Sequence, residues 1–594
     1  MKNSIKVLMI DLNNQKIEIE NRKDLTAFLG GVGTGIKLLE ENLIDEWDPY
    51  HEGQPIVLSI GPMETIFPAV TKVVALFKSP LTGELGESYA GMRLGMAMRF
   101  AGYDAIVITG KAKRPMYLYI SNHEIEFKNA EALWGLDTEE TGRLMRDIEE
   151  GAGLRSIMRI GVSGERKIPF AGVNVDTYRH FGRLGLGAVF GSKLLKGIVI
   201  HGNGNEIIHN KKEFKGVYDG IYAKVVETDH MEKYHGLGTS INIMPLNNMN
   251  ALPTRNLQKS SFEYANEISG EAFAQEKLFR KLACAGCPIG CIHVAIQRKK
   301  FGDPVEYSWA GISYDHELIF AVGSFLGIGN KEDILSLIET IELLGLDCMS
   351  TGVLLGWVTE AYERGLITKD QIGRAVKFGD VEGYQYIIKN MIQGSNNFYK
   401  TISKGTHHAS EVYGGKEFAA VLGKHEMAGY HTGYGNLLGM TMGARHSHLD
   451  NGGYSLDQAM KDLDKNKLID DLIQEEIERN IQNCLVICLF SRKIYDLDTI
   501  INALKVIGIE YDTEQLMALG KEIFKMKVRA KKKLGFDYSS ITFPKRFFET
   551  ETLHGKLNED VANELLEIYI GKMEELCKEH INLFSQIEGE KKLV

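Results

Sequence analysis

Any fold open to this chain must gather Cys284, Cys287 and Cys291, spaced C-x2-C-x3-C in the stretch CAGCPIGC, and if they bind a metal or cluster it must take its further ligand from elsewhere in the sequence. The spacing lets three thiolates converge on one site from a loop running into a helix. A structural zinc ion would take a fourth Cys or His close in space, and zinc patterns usually pair two C-x2-C knuckles. No second knuckle is present. Spacing alone therefore leaves three outcomes open: an iron–sulfur cluster, a zinc ion, or unligated buried cysteines. A cluster would draw its fourth ligand from Cys348, Cys484, Cys488 or Cys577, and spacing does not choose among them. Seven cysteines in 594 residues do not indicate a disulfide framework.

The chain, 44% hydrophobic with 63 glycines, is long enough for roughly three or four domains. No stretch approaches the roughly 20 apolar residues of a membrane span, and MKNSIKVLMIDL lacks a signal peptide's apolar length and cleavage site, so the expected location is the cytoplasm. The net charge of -10 is spread without long single-sign runs, which gives a nucleic-acid role no electrostatic support. KVLMIDLNNQKIEIE reads as a hairpin through Asn13-Asn14, and GQPIVLSIGP, TKVVALFKSP, YDAIVITG and MYLYIS add short strands. From about residue 210 helical periodicity takes over, as in KEDILSLIETIELLG, TGVLLGWVTEAYERG and DVANELLEIYIGKMEEL. The expected fold is α+β: a β-rich domain over 1–208, then mainly helical domains over 209–411 and 412–594. GGVGTG (30–35) has the wrong spacing for a dinucleotide loop and follows a hairpin rather than opening a βαβ unit.

Several segments together resemble the aldehyde:ferredoxin oxidoreductases, enzymes carrying tungsten or molybdenum on a bis-pterin cofactor. They are KSPLTGELGESYAGMRLG with AGYDAIVITGKA, FGRLGLGAVFGSKLLKGI, NALPTRN, CAGCPIGC and LGLDCMSTG. The resemblance implies a β-rich domain cradling the pterins, two largely helical domains, and a 4Fe-4S cluster beside one pterin. It selects Cys488, at the end of NCLVIC (483–488), as the fourth cluster ligand with Cys284, Cys287 and Cys291. The related ELLGLD (342–347) would hold one pterin through Glu342, Gly345, Leu346 and Asp347, and NCLVIC the other through Asn483 and Ile487. Both depart from the family's Asp-x-x-Gly-Leu pattern: Glu342 and Asn483 stand for aspartates and Val486 for the glycine. Glu342 can still accept from a pterin amine; neutral Asn483 makes a weaker hydrogen bond.

Gly182, Gly185 and Gly187, followed by Gly191, would let the backbone approach a bulky anion, with Arg179 and Arg183 supplying charge. The resemblance makes these pterin-phosphate contacts, bridged by a Mg2+ on the main-chain carbonyls of His180 and Tyr89. Lys72 falls where the family has a phosphate-contacting arginine, keeping the charge without the bidentate fork, and Gly91 at a close-approach glycine.

The family's chemistry adds water to an aldehyde, removes two electrons to give a carboxylate, and passes them through the cluster to ferredoxin. The acid–base groups implied are Glu317 in YDHELIFAVGS, with Asp315 its rival, and His448 in GARHSHLDNGGY. Arg445 and His446 depart from the family's small residues there, so His425, His431 and Tyr434 are expected around an unusual substrate pocket. Cys348 and Cys484 read as buried small residues, and EIYIGKMEEL departs from the family's C-terminal pattern. The partners implied are ferredoxin or another carrier, an aldehyde or related small molecule, and a second copy in a dimer, with further electron-transfer subunits as an option. Two alternatives stand beside this: an aromatic-thioester reductase-like subunit on the same cofactor, and a cluster-bearing electron-transfer subunit without pterin.

Overall fold

The computed structural model describes residues 4–205, 208, 210–229 and 231–579. Residue 209, beside the expected first boundary, and everything after 579 lie outside the described residues.

The N-terminal part is a sandwich of two six-stranded sheets. The first has the order β2-β1-β6-β3-β4-β5, formed by β1 (Ile5–Asp11), β2 (Lys16–Arg22), β3 (Ile56–Ser59), β4 (Val73–Lys78), β5 (Leu85–Ala90) and β6 (Ala105–Thr109). The second has the order β11-β10-β9-β12-β7-β8, formed by β7 (Met116–Ile120), β8 (Ile125–Asn129), β9 (Ser156–Arg159), β10 (Val173–Val175), β11 (Arg179–Phe181) and β12 (Leu195–Ile200). The hairpin read at Asn13-Asn14 is the antiparallel β1–β2 pair.

Strand alternation assigns the two faces of the first sheet. Leu8, Ile10, Leu58, Ala75 and Phe77 point into the sandwich against Leu118, Ile120, Met158 and Ile198 of the second sheet. Val7, Val57, Val74, Leu76 and Val107 point outward, where the Gly31–Asn42 helix and two C-terminal helices, Lys465–Cys484 and Thr513–Lys533, cover them through Val32, Ile36, Ile481, Leu519 and Ile523. Covering on both faces explains why β3 and β4 read as unbroken apolar runs.

The glycines of GGVGTG belong to this packing. A Cβ on Gly31 would overlap the Asn483 carbonyl oxygen, and one on Gly33 would meet Cys484 Sγ at 3.0 Å. They admit the end of the Lys465–Cys484 helix rather than a nucleotide.

The remaining core is largely helical and continuous from the Lys331–Leu344 and Cys348–Glu363 helices to Glu559–Lys578. It also contains a three-stranded antiparallel sheet, β13 (Leu278–Leu282), β14 (Ile292–Gly302) and β15 (Glu306–Tyr314). The cysteine stretch joins β13 to β14, so it runs into a strand, not the expected helix. The cause is the run IHVAI after Cys291, which is buried on both faces and pairs with β13 and β15. No helix among the described residues is long and apolar enough to cross a membrane.

Buried ion pairs fasten the Thr513–Lys533 helix to the first sheet: Lys527 to Glu87 at 2.8 Å and Lys531 to Glu84 at 2.9 Å. Burial opposes ionisation of Glu84, yet Lys531 and His446 outweigh it and hold its carboxyl below the ordinary value. Lys527→Met should cost roughly 3–5 kcal/mol in urea unfolding by stranding Glu87, and adding Glu87→Met should recover most of it. A double variant as unstable as the single would contradict this coupling.

Candidate active site

A cavity of about 350 Å3 lies where the sandwich meets the helical part. Its floor is the place where the two sheets present edge strands, β5 of one and β11 of the other, so main-chain groups of Tyr89 and His180 lie on strands paired on one side. Lys72, Arg179, Gly182 and Arg183 also line it from the β-rich side. Asp315, Glu317, Glu342, Leu346, Asp347, Asn483, Ile487, Cys291 and Cys488 line it from the other. A more open groove of about 840 Å3, beside Tyr50, Lys167 and Lys404, shares no residue with it.

ELLGLD and NCLVIC occupy matching places. The first follows the Lys331–Leu344 helix through Gly345 in the left-handed region (φ 77°); the second follows Lys465–Cys484 through Val486, also left-handed (φ 56°). Each turn forms an isolated antiparallel bridge to a sandwich loop, Leu346 to Ala171 and Ile487 to Val70. A pair of main-chain bonds flanks each bridge, the second pair with one extra residue, Thr71, on the sandwich side. Gly172 N donates to Gly345 O (2.9 Å) and Asp347 N to Phe170 O (2.9 Å), as Lys72 N does to Val486 O (3.3 Å) and Cys488 N to Ala69 O (3.0 Å). Val486 therefore keeps the backbone of the glycine it stands for, at the strain of a β-branched residue with positive φ.

Burial pushes Glu342 up to about 8 and His180 down to about 3. Near neutral pH Glu342 is thus mostly the neutral acid, both donor and acceptor, where the sequence suggested a charged acceptor.

Cys488, set by the second turn, faces Cys287 and Cys291 closely enough to raise their thiols further beyond the effect of burial. Cys284 accepts from Met92 N at 3.2 Å, and Arg179 Nη2 stands 3.8 Å from Cys291 Sγ. Burial opposes the Cys284 thiolate, but Lys72 and Arg179 outweigh it and lower its pKa. The reciprocal holds at Lys72, where burial opposes the charge and Cys488 and Cys284 restore it. A Cβ on Gly91 would stand 2.7 Å from Cys284 Sγ, so this glycine makes room for the thiol. Among the described residues no three His, Cys, Asp or Glu are gathered tightly enough to hold a single metal ion. Cys348 lines the cavity away from these thiols, Cys484 packs in the helix layer, and Cys577 lies in the Glu559–Lys578 helix.

Glu317 and His448 meet although they are far apart in sequence, Oε1 to Nε2 at 3.2 Å. Glu317 Oε2 accepts from Gly429 N at 3.0 Å, and Tyr430, which no motif marks, lies against the His448 ring with centroids 4.9 Å apart. Burial pushes Glu317 up to about 7 and His448 well below the usual histidine range. Asp315 spends Oδ1 on capping the His316–Val322 helix, accepting from Leu318 N at 3.1 Å.

Other residues depart from expectation. Gly185, Gly187 and Gly191 do not line the cavity: added Cβ atoms would overlap the carbonyls of Pro169, Gly172 and Gly164, so their close approach is to protein backbone. Only Gly182 of that run faces the cavity. Of the expected pocket residues His425 lines it, but His431 and Tyr434 do not. His431 Nε2 is 3.2 Å from Thr550 O, and Tyr434 Oη accepts from Asn558 N at 2.8 Å, which draws both into the C-terminal packing. His446 sits beside Glu84 and Lys531, while Arg445 lines the cavity over the Tyr89 ring, paired to Asp450 at 2.6 Å.

The cavity is built for a ligand with many polar atoms. Among the described residues His180 Nε2, Arg183 Nη1 and His425 Nε2 are buried without a hydrogen-bond partner. Orphaned groups of this kind are costly unless something bound satisfies them.

Comparison with known proteins gives this architecture a class, that of redox enzymes. The family described as "Aldehyde ferredoxin oxidoreductase, N-terminal domain" matches residues 7–202, and "Aldehyde ferredoxin oxidoreductase, domains 2 & 3" matches residues 217–574. The tungsten-containing aldehyde ferredoxin oxidoreductase of Pyrococcus furiosus is 30% identical over 565 residues, 91% of each chain. An aliphatic sulfonate oxidoreductase, WOR-like subunit from the same organism, is 30% identical over 68% of this chain and 66% of its own length. In fold the chain is similar to one in the active-site complex BamBC of benzoyl coenzyme A reductase with 1,5-dienoyl-CoA: TM-score 0.82, 17% identity, 96% and 94% of the two chains. The chain belongs to the aldehyde ferredoxin oxidoreductase family.

Because the folded pKa of Glu317 is raised, the folded chain holds a proton here that the unfolded chain has released, from the ordinary carboxylate range up to about 7. This group's contribution to stability therefore falls as pH rises through that window. Thermal melts of Glu317→Gln against wild type should show the variant gaining relative stability between pH 5 and 8. A difference independent of pH would refute the raised pKa.

Proposed function

We propose that the cavity holds a tungsten or molybdenum bis-pterin, that Cys284, Cys287, Cys291 and Cys488 hold a 4Fe-4S cluster beside it, and that the enzyme oxidises an aldehyde to a carboxylate with ferredoxin as acceptor. The observation that carries this reading is the set of orphaned buried polar atoms, set between twin turns and bordered by Cys291 and Cys488 of the four-thiol group. The twin turns suit two related pterins, through Glu342, Leu346 and Asp347 on one side and Asn483 and Ile487 on the other. Lys72, Arg179 and Arg183 supply charge for the phosphates, and a Mg2+ between them would take the edge-strand carbonyls of Tyr89 and His180. Four thiols near one another, with no second C-x2-C knuckle in the sequence, suit a cluster better than zinc.

The bound cofactor supplies the two-electron oxidation; this chain's own groups handle the protons. The overall change, RCHO + H2O → RCOO− + 3 H+ + 2 e−, releases protons at the cavity wall. Ionised Glu317 takes one from water, and His448, kept neutral by burial with Nε2 3.2 Å from Glu317 Oε1, orients the carboxylate for it. Asp315 is committed to its helix cap, which favours Glu317 for this role.

Elemental analysis of anaerobically purified protein should find about one W or Mo and about four Fe per chain, with Fe lost in Cys488→Ala. Aldehyde-dependent viologen reduction should rise through pH about 7 as Glu317 ionises, and Glu317→Gln or His448→Ala should lower kcat roughly 10²-fold or more. Zinc alone would sink the cofactor assignment. Activity on an aliphatic sulfonate but no aldehyde would move the substrate and leave the cofactor in place.

A further inference from the structure

The β13–β15 sheet exposes a row of large aromatic side chains: Trp309 is 60% exposed, Tyr307 55% and Phe279 46%. Strand register places them on one face. Trp309 pairs with Arg298 and Tyr307 with Lys300, cross-strand partners share a face, and the Phe279 ring lies 5.8 Å from that of Trp309. Followed inward by steps of two residues, the same face passes Gly311 and reaches Val294, which packs with Cys284 and Ile292 beneath the cysteine loop. The strip is therefore continuous with the four-thiol site. The opposite face differs in kind, since Lys299 there is ion-paired to Glu339 on the Lys331–Leu344 helix.

The charge on this strip runs against that of the whole chain. Arg280 and Arg298 are exposed and, among the described residues, neither has a carboxylate in an ion pair; Arg280 lies over the Phe279 ring at 5.0 Å. Yet the chain carries a net charge of -10. Exposed aromatics interleaved with arginines are the composition of a protein–protein hot spot, not of idle surface. A two-fold contact between copies through this strip would oppose arginine to arginine, which disfavours a second copy of the chain as occupant.

We propose that this face is the docking surface for a small acidic electron-carrier protein of the ferredoxin kind, held by Trp309, Tyr307 and Phe279 and steered by Arg280 and Arg298. The inference rests on the reading of the four cysteines as an electron-transfer site. It adds where the partner sits and what selects it.

The test uses the purified full chain and a two-cluster 4Fe-4S ferredoxin as probe, with binding measured by biolayer interferometry at several salt concentrations. Wild type should bind with an affinity that falls as salt rises. The pair Trp309→Ser with Tyr307→Ser, and the pair Arg280→Glu with Arg298→Glu, should each weaken binding about tenfold or more. Lys389→Glu, an exposed residue on the Val381–Gln393 helix, should not. Viologen reduction, which needs no docked protein, should be the same in all variants. The proposal fails if wild type does not bind the ferredoxin, or if both pairs bind as wild type does. It also fails if the aromatic pair only converts a dimer to a monomer by light scattering, which would assign the face to a second copy. A wild type that binds ferredoxin yet reduces no dye with any aldehyde counts against the proposed reaction alone, so the two failures are distinguishable.

Discussion

Four main-chain hydrogen bonds, two at each of a pair of helix-ending turns, fix the geometry on which the centre of the molecule depends. Each turn must leave its helix in a left-handed step and then run antiparallel to a loop of the sandwich for one bridge. The helices are rigid, so pinning their ends places every side chain that follows: Asp347 at the head of the next helix, Cys488 among the other thiols. Small residues beneath the turns make this possible. Gly161 lies against the Leu344 carbonyl, and Gly31 and Gly61 against Cys484.

Around this frame the protein concentrates groups that water would normally solvate. Two cations, Lys72 and Arg179, sit against the thiols, and each side makes the other's charge tolerable. Elsewhere burial prevails over the charges nearby and neutralises the group instead, as at Glu342 and His448. The site thus contains both charged and neutral polar regions within one cavity, and the boundary between them is set by whether nearby charge or burial is the stronger influence at each residue.

Much of the framework is legible in the sequence because it depends on local pattern. The apolar runs of β3, β4 and β6 and the periodicity of the Lys331–Leu344 helix carry their own signal. The closeness of Cys284, Cys287 and Cys291 is legible from spacing; that of Cys488 needs the resemblance, because only the fold brings it near. What stays hidden is decided by distant packing. IHVAI reads as no clear period, since its strand is buried on both faces. The glycines after Arg183 look like a ligand cradle, but only the tertiary structure shows that a backbone occupies that space. His431 and Tyr434 lie near His425 and His448 in sequence and are claimed by the C-terminal packing instead.

The outer face of the first sheet is made almost at the start of the chain, whereas the helices that cover it, Lys465–Cys484 and Thr513–Lys533, come near its end. On the ribosome the part of that face not covered by the Gly31–Asn42 helix must wait, apolar, until more than three hundred further residues have been added. The same delay holds for the cavity, whose second turn, with Cys488, follows the late Lys465–Cys484 helix. The cavity is therefore assembled from both ends of the chain, and its wall is incomplete until the last helices dock.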